Sequence, residues 1–235
     1  MKSLINTEDY NSLASAEDIR VVYDRTTDLV WIDTPIQSLY DFVDLGLPSG
    51  LKWASCNVGA EKPEDFGLYF AWGETQGYSG ITNTKKFRWT DYKLCGGSSS
   101  TLTKYNNNSS YGTVDNLTVL EQVDDAAYTS DKTCRMPTKA DLEELTANTT
   151  STWETLNGVN GRRFTSKTNG NSIFVPAAGY CSGGSVIHVG SLGYLWSSSL
   201  YKSNPRDGWC LYFNSDNVNV NYFSRYFGFT VRAVC

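Results

Sequence analysis

Residues 194–229 read YLWSSSLYKSNPRDGWCLYFNSDNVNVNYFSRYFGF, and eleven of these 36 side chains are aromatic. Across the whole chain the aromatic fraction is 14%, so rings are concentrated in this stretch. Some of them belong to a core, because Leu211 alternates with Phe213, Val218 with Val220, and Phe229 with Val231 and Ala233, the period-two pattern of half-buried strands. Others do not fit that pattern. Tyr212 falls on the face opposite Leu211 and Phe213, while Tyr222, Phe223, Ser224, Tyr226 and Phe227 crowd a segment too dense in rings for one strand face to bury. Adjacent rings on an extended strand point apart, so one of each pair stays a candidate for the core. Tyr, Ser, Asn and Gly, with Arg206 and Asp207, are the vocabulary of a recognition surface: rigid rings of low rotamer cost and small polar groups that adapt. The chain is expected to end in a binding surface.

Composition bounds the rest. A length of 235 residues suits one domain, or one domain with an extension. Charged residues make up only 19% while Gly, Ser, Thr, Asn and Tyr are plentiful, which predicts a loop-rich fold with strands rather than a helical bundle. The net charge of −5 leaves no basic field to gather phosphates, so nucleic acid is not an expected partner. No run approaches the roughly 18 apolar residues of a membrane span, and Glu8 and Asp9 stand where a signal peptide needs an apolar run. Neither membrane insertion nor export by the general route is expected. The six cysteines, Cys56, Cys95, Cys134, Cys181, Cys210 and Cys235, never approach metal-ligand spacing, and His188 is the sole histidine. A zinc site has no ligands to use, and no cofactor is expected. Three disulfides are arithmetically possible, but wide irregular spacing without an export signal favours free thiols.

Residues 1–41 read as a separate extension. Ile19 to Tyr23 and Leu29 to Asp33 are strand-like runs around the polar turn Asp24-Arg25-Thr26-Thr27-Asp28, a β-hairpin that either packs on the main domain as an edge or attaches the chain to an oligomer or a virion. Residues 42–235 then read as one domain. Val43 to Ala54 is a strand, a Pro48-Ser49-Gly50 turn and a second strand, and Gly67 to Glu74 is an aromatic strand ending in a glycine turn. Cys95 to Thr113 is polar and rich in Gly, Ser and Asn, the pattern of an exposed mobile insertion. Two helices follow. Thr118-Val119-Leu120-Glu121 has the form of a capping box, with Leu120, Val123 and Ala127 as the apolar stripe of a helix reaching about Tyr128. Thr138 caps the second, with Asp141 in the reciprocal position, Ala140, Leu142 and Leu145 turned inward, and Asn148 at its end. Short strands make up the remainder, so the fold class is α+β: two short helices with a mainly antiparallel sheet.

Several blocks taken together are more specific than any one alone. Val43-Asp44-Leu45-Gly46-Leu47-Pro48-Ser49-Gly50-Leu51-Lys52-Trp53-Ala54, Asn57-Val58-Gly59-Ala60, Trp72-Gly73-Glu74, and Arg135-Met136-Pro137-Thr138 leading to Pro176-Ala177-Ala178-Gly179-Tyr180 resemble the Fibrobacter-type major paralogous domain of Bacteroidetes and their phages. That domain is similar to the C-type lectin-like fold in its formylglycine-generating-enzyme-like branch. Leu195-Trp196-Ser197-Ser198-Ser199, Leu211 with Phe213-Asn214-Ser215, and Gly228 to Val234 resemble the constant frame of a diversity-generating retroelement variable protein. In such proteins adenine-directed mutagenesis turns AAC codons into any codon ending in C, whose products exclude Lys, Trp, Met, Gln and Glu. The resemblance therefore implies a ligand-binding region at about 194–235 with variable positions Tyr201, Ser203, Arg206, Asp207, Gly208, Cys210, Tyr212, Tyr222, Phe223, Ser224, Tyr226 and Phe227. Every one is an allowed product, whereas Lys202 and Trp209 are not and fall to the frame. It also implies a protein or glycan ligand on a cell surface, and a location on a phage particle or a bacterial surface.

Other readings compete. Asp124-Asp125 and Asp141 with Glu143-Glu144 could suggest paired catalytic carboxylates, but they fall opposite the apolar stripes of short helices, where a solvated face is expected. His188 sits between Ile187 and Val189 with no nucleophile in a recognisable constellation, so a structural role is expected. Ser203-Asn204-Pro205-Arg206-Asp207 has some likeness to lectin calcium loops but supplies too few hard oxygen ligands. Oxidases of this fold use a cysteine pair near the chain end, a role in which Cys210 and Cys235 could be cast only without matching context. The alternatives to a diversified binding protein are thus a fixed adhesin or glycan-binding module and, third, a formylglycine-generating-type oxidase.

Overall fold

The computed structural model describes residues 2–4, 20–24, 29–33, 40–80 and 85–235, and the chain divides into two units, Met1–Leu39 and Tyr40–Cys235. In the first, strands β1 (Lys2–Leu4), β2 (Arg20–Asp24) and β3 (Leu29–Asp33) pair antiparallel in the order β1-β3-β2. The pairing of Arg20 with Asp33 through Asp24 with Leu29 is the expected hairpin. Most of its polar turn, residues 25–28, lies outside the described residues.

The second unit is α+β, with two helices and mainly antiparallel sheets. Strands β4 (Phe42–Asp44) and β5 (Lys52–Ala54) form a hairpin whose turn is closed by the Gly50 N–H donating to the Leu47 carbonyl at 2.9 Å. Gly50 takes φ of +75°, a left-handed conformation that other residues adopt only under strain. Strands β7 (Thr149–Leu156), β8 (Val159–Ser166) and β9 (Ser172–Pro176) make a meander, and β10 (Tyr180–Ser182) pairs with β11 (Ser185–Ile187). The main sheet holds β6 (Tyr69–Phe70), β12 (Gly193–Leu200), β13 (Asp207–Phe213), β14 (Val218–Ser224) and β15 (Phe229–Thr230) in the order β14-β13-β12-β15-β6. Within this sheet the β12–β15 pairing is parallel and the other three are antiparallel. The crossover that joins those two strands carries the β13–β14 hairpin.

Helix α1 (Ala126–Ser130) is shorter than expected and starts later. Residues 118–120 instead run extended beside β12, with the Leu120 N–H donating to the Ser198 carbonyl and the Leu200 N–H to the Thr118 carbonyl, both at 2.9 Å. The Glu121 N–H, which the Thr118 side chain would have capped, donates instead to the Tyr105 hydroxyl at 2.9 Å. Val123, assigned to the inward stripe, is 72% exposed, while Leu120 and Ala127 are buried. A single 3-10 turn at Gln122–Asp124 leads to Asp125, whose carboxylate caps α1 by accepting from the Tyr128 N–H at 3.0 Å. Asp125 also accepts from the Met136 N–H and is buried, so it is a structural cap rather than part of a solvated acidic face. Helix α2 (Lys139–Asn148) has the expected capping box, Thr138 with Asp141, and buries Leu142 and Leu145. Ala140 faces solvent, against expectation.

The segment expected to be an exposed insertion is pinned instead. Leu102, Tyr105 and Asn106 are buried, and the Asp115 carboxylate accepts from the backbone N–H groups of Tyr105 at 2.7 Å and Asn106 at 2.9 Å. The expectation of free thiols also needs correcting at one pair: Cys134 and Cys235 form a disulfide across 101 residues. The two meet because Val234 pairs with both Trp53 and Arg135, drawing the last residues along β5. Cys56, Cys95, Cys181 and Cys210 are free.

The core lies on both faces of the main sheet. Leu195, Leu211 and Phe213 pack with Leu142 and Leu145 of α2 and with Phe164 and Val175. On the opposite face Tyr194, Trp196, Cys210 and Phe229 pack with Trp72, Tyr105 and Ala127. Burial at this scale, at about 25 cal/mol per Å² of apolar surface, is the main force holding the sheet between its two layers.

Candidate functional site

The β13–β14 hairpin sorts its side chains by strand alternation. Its register sets Trp209 opposite Tyr222, Leu211 opposite Val220 and Phe213 opposite Val218 on the face toward α2. Gly208 opposite Phe223, Cys210 opposite Asn221 and Tyr212 opposite Asn219 lie on the far face. Tyr222 and Phe223, adjacent in sequence, therefore point to opposite sides of the sheet. The twelve candidate residues do not form one patch.

On the far face the rings form a continuous array. Tyr194 is buried, with ring centroids 5.3 Å from Tyr212 and 5.4 Å from Phe223. Phe223 and Phe227 each reach the buried Phe229, at 5.8 and 6.1 Å, and Tyr180 of β10 closes the array 5.4 Å from Phe227. Tyr212, Phe223, Phe227 and Tyr180 are half-buried: each packs one side on the core and leaves another to solvent. Asn214 donates its side-chain amide to the Tyr212 hydroxyl at 3.2 Å, and Asn219 and Asn221 add amides to the same face. Tyr226 leans on Trp89 at 5.2 Å, beside Phe227.

Arg225, in the middle of this segment, is fully buried and anchors it. Its guanidinium donates to the Tyr92 hydroxyl and to the carbonyls of Tyr105, Pro205 and Lys104, all at 2.8–3.1 Å, and lies 4.7 Å over the Trp72 ring. With those bonds made, the charge is held with no carboxylate partner among the described residues, and the flanking Ser224, Tyr226 and Phe227 are left to face outward.

On the face toward α2, Tyr222 is 40% exposed and stacks on Tyr201 with centroids 3.7 Å apart and planes 9° from parallel. Both rings meet Trp209 nearly at right angles, at 5.2 Å for Tyr201 and 5.5 Å for Tyr222. The Lys139 ammonium lies 4.7 Å over the Trp209 ring. At the hairpin's base, Ser203 is exposed and Arg206 lies 4.7 Å over Tyr111. Asp207 accepts from the Asn204 amide at 2.7 Å and the Ser224 hydroxyl at 3.2 Å. Burial pushes the Asp207 carboxyl above the usual aspartate range, although the Ser224 bond and the Arg206 charge oppose it.

Gly208 and Cys210 do not reach the surface, which corrects their assignment as binding positions. A Cβ on Gly208 would lie 2.8 Å from the Trp72 ring. Cys210 is wholly buried, and burial drives its thiol well above the ordinary range. Cys210 is also remote from any pairing with Cys235, which is bonded to Cys134. Among the described residues no three His, Cys, Asp or Glu side chains gather as metal ligands. His188 is exposed, with its ring 5.9 Å from Tyr180.

Sequence reasoning missed Trp209, Tyr180, Tyr194, Lys139, Asn219 and Asn221. The two asparagines were legible, since the inward Val218 and Val220 fix their outward direction. Tyr180 and Lys139 come from distant elements, and no local pattern marks them. Comparison with known proteins finds no matching family model, no matching curated protein and no matching solved structure. Among the described residues no helix is long and apolar enough to cross a membrane.

Proposed function

We propose that this protein is a non-enzymatic ligand-binding protein of the C-type lectin-like class, whose residues 194–235 display a retroelement-diversified surface. The observation that carries the reading is the far-face array: Tyr212, Phe223 and Phe227 each rest one side on the core and offer another to solvent, with Asn219 and Asn221 beside them. Half-buried rings on a rigid frame supply contact area at little entropic cost, and neighbouring amides supply adaptable hydrogen bonds. A surface protein or glycan of a bacterial cell is the ligand class, with display on a phage particle or a bacterial surface. The test is titration with surface extracts: Tyr212→Ser, Phe223→Ser and Phe227→Ser should each weaken binding by around 2 kcal/mol where the ring fills a central pocket. Unchanged binding in all three would overturn the reading.

The buried Gly208 and Cys210 favour a second reading, a fixed adhesin or glycan-binding module, because interior positions tolerate little diversification. The genomic neighbourhood decides between them. A reverse transcriptase gene and a near-identical repeat differing at adenines belong to the first reading, and their absence to the second.

A further inference from the structure

Between the start of α2 and the Leu200–Ser203 turn lies a cleft of about 440 Å³, on the sheet face opposite the far-face array. Its walls include Trp209 and Tyr201, and its polar lining includes Lys139, Glu143, Ser199 and Ser203. We propose that this cleft binds the ring of a neutral sugar, as a second site separate from the one that carries the proposed function. The volume falls in the range of small-ligand sites, which are apolar with a few placed polar groups.

Three features select a sugar. First, the wall is aromatic and pre-organised. Tyr201 is backed by Tyr222 at 3.7 Å and Trp209 is held under the Lys139 ammonium, so little order is lost on binding. Ring faces carry negative potential and attract the polarised C–H groups that line one side of a pyranose. Second, Lys139 and Glu143 form an ion pair one helical turn apart, placing a donor and an acceptor side by side with no net charge between them. A pair of sugar hydroxyls can donate to one and accept from the other, whereas an ionised ligand meets a like charge. Third, among the described residues the Trp209 indole N–H has no hydrogen-bond partner, and the exposed Ser203 hydroxyl stands at the rim. Both suit a ligand rich in oxygen acceptors. Lys202 lies at the rim too, but its side chain is exposed, and only its carbonyl is held, by the Asn107 amide at 2.8 Å.

The experiment is nitrogen-15 NMR titration of the full chain with neutral disaccharides of glucose, galactose and mannose, and in a parallel arm with glucuronic and galacturonic acids. The Trp209 indole signal is assigned by its disappearance in Trp209→Phe. At least one disaccharide should shift that signal together with the amides of Lys139 and Ser203. Trp209→Ala and Glu143→Ala should each weaken binding by about tenfold or more, and the exposed Val123→Ser should bind as the wild type does. Should Trp209→Ala fail to fold, Glu143→Ala and Tyr201→Ala carry the comparison. No shift with any neutral sugar would overturn the proposal, as would binding confined to uronic-acid sugars. So would shifts that leave Trp209 still. Because the readout is the Trp209 indole, its failure is distinct from failure of the far-face reading, which is judged by surface-extract binding.

Discussion

At the scale of single residues, burial separates side chains that the sequence presents as alike. Phe213 has no exposure and packs on Phe164 and Trp153, so Phe213→Ala should cost about 3–5 kcal/mol in urea unfolding. Tyr222→Ser, at an exposed stacked ring, should cost about 1 kcal/mol or less. Equal losses would place Tyr222 in the core. Asp207 makes a pH prediction. Its folded-state pKa is raised by burial, so the native state holds more protons than the unfolded chain between the two pKa values. The group's contribution is thus most favourable below the unfolded pKa and is lost as pH rises through the window above it. The stability of the wild type relative to Asp207→Asn should therefore fall as pH climbs from about 4. A rise in that difference, in melting curves at fixed salt, would show the carboxylate to be stabilised instead. Arg225 stands among half-buried rings, yet its own four hydrogen bonds lie in the interior, a placement that no local pattern in the sequence marks.

At the scale of elements, helix α2 was legible because a capping box and two inward leucines are local signals, satisfied within a few residues. The Thr118 box is the same signal and failed, because the segment pairs with β12 through the Leu120 N–H and the Thr118 carbonyl, and the Glu121 N–H donates to the Tyr105 hydroxyl. The last residues, 231–235, pair with β5 and with Arg135, and the Cys134–Cys235 disulfide pins them there. Cys235→Ser removes a link closing a loop of about a hundred residues and should lower stability by about 2–5 kcal/mol. The check is a melt of wild type and variant with and without dithiothreitol. The reductant should lower the wild type to the variant's midpoint, and a wild type indifferent to it would argue that the bond contributes nothing.

At the scale of the whole molecule, the main unit is held by two apolar layers across one sheet and by buried arginines bonded to backbone carbonyls. Arg232 donates to the carbonyls of Ala54, Ser55 and Phe174 and so ties three separate stretches together. Since no ligand cluster for a metal occurs among the described residues, EDTA should leave the melting temperature unchanged. A fall restored by calcium would require a site that these residues do not supply.

The sequence by itself determined the α+β class, the inward faces of β13 and β14, the β4–β5 turn and the α2 cap. Each of these rests on periodicity or hydrogen bonds spanning a handful of residues. Only the tertiary structure decided that Phe223 rather than Tyr222 packs against the core, that Gly208 and Cys210 are interior, that Thr118 joins a sheet, and that Cys134 finds Cys235. Those outcomes depend on which surfaces meet across long stretches of chain, and a residue's own neighbours in sequence do not encode what will be packed against it.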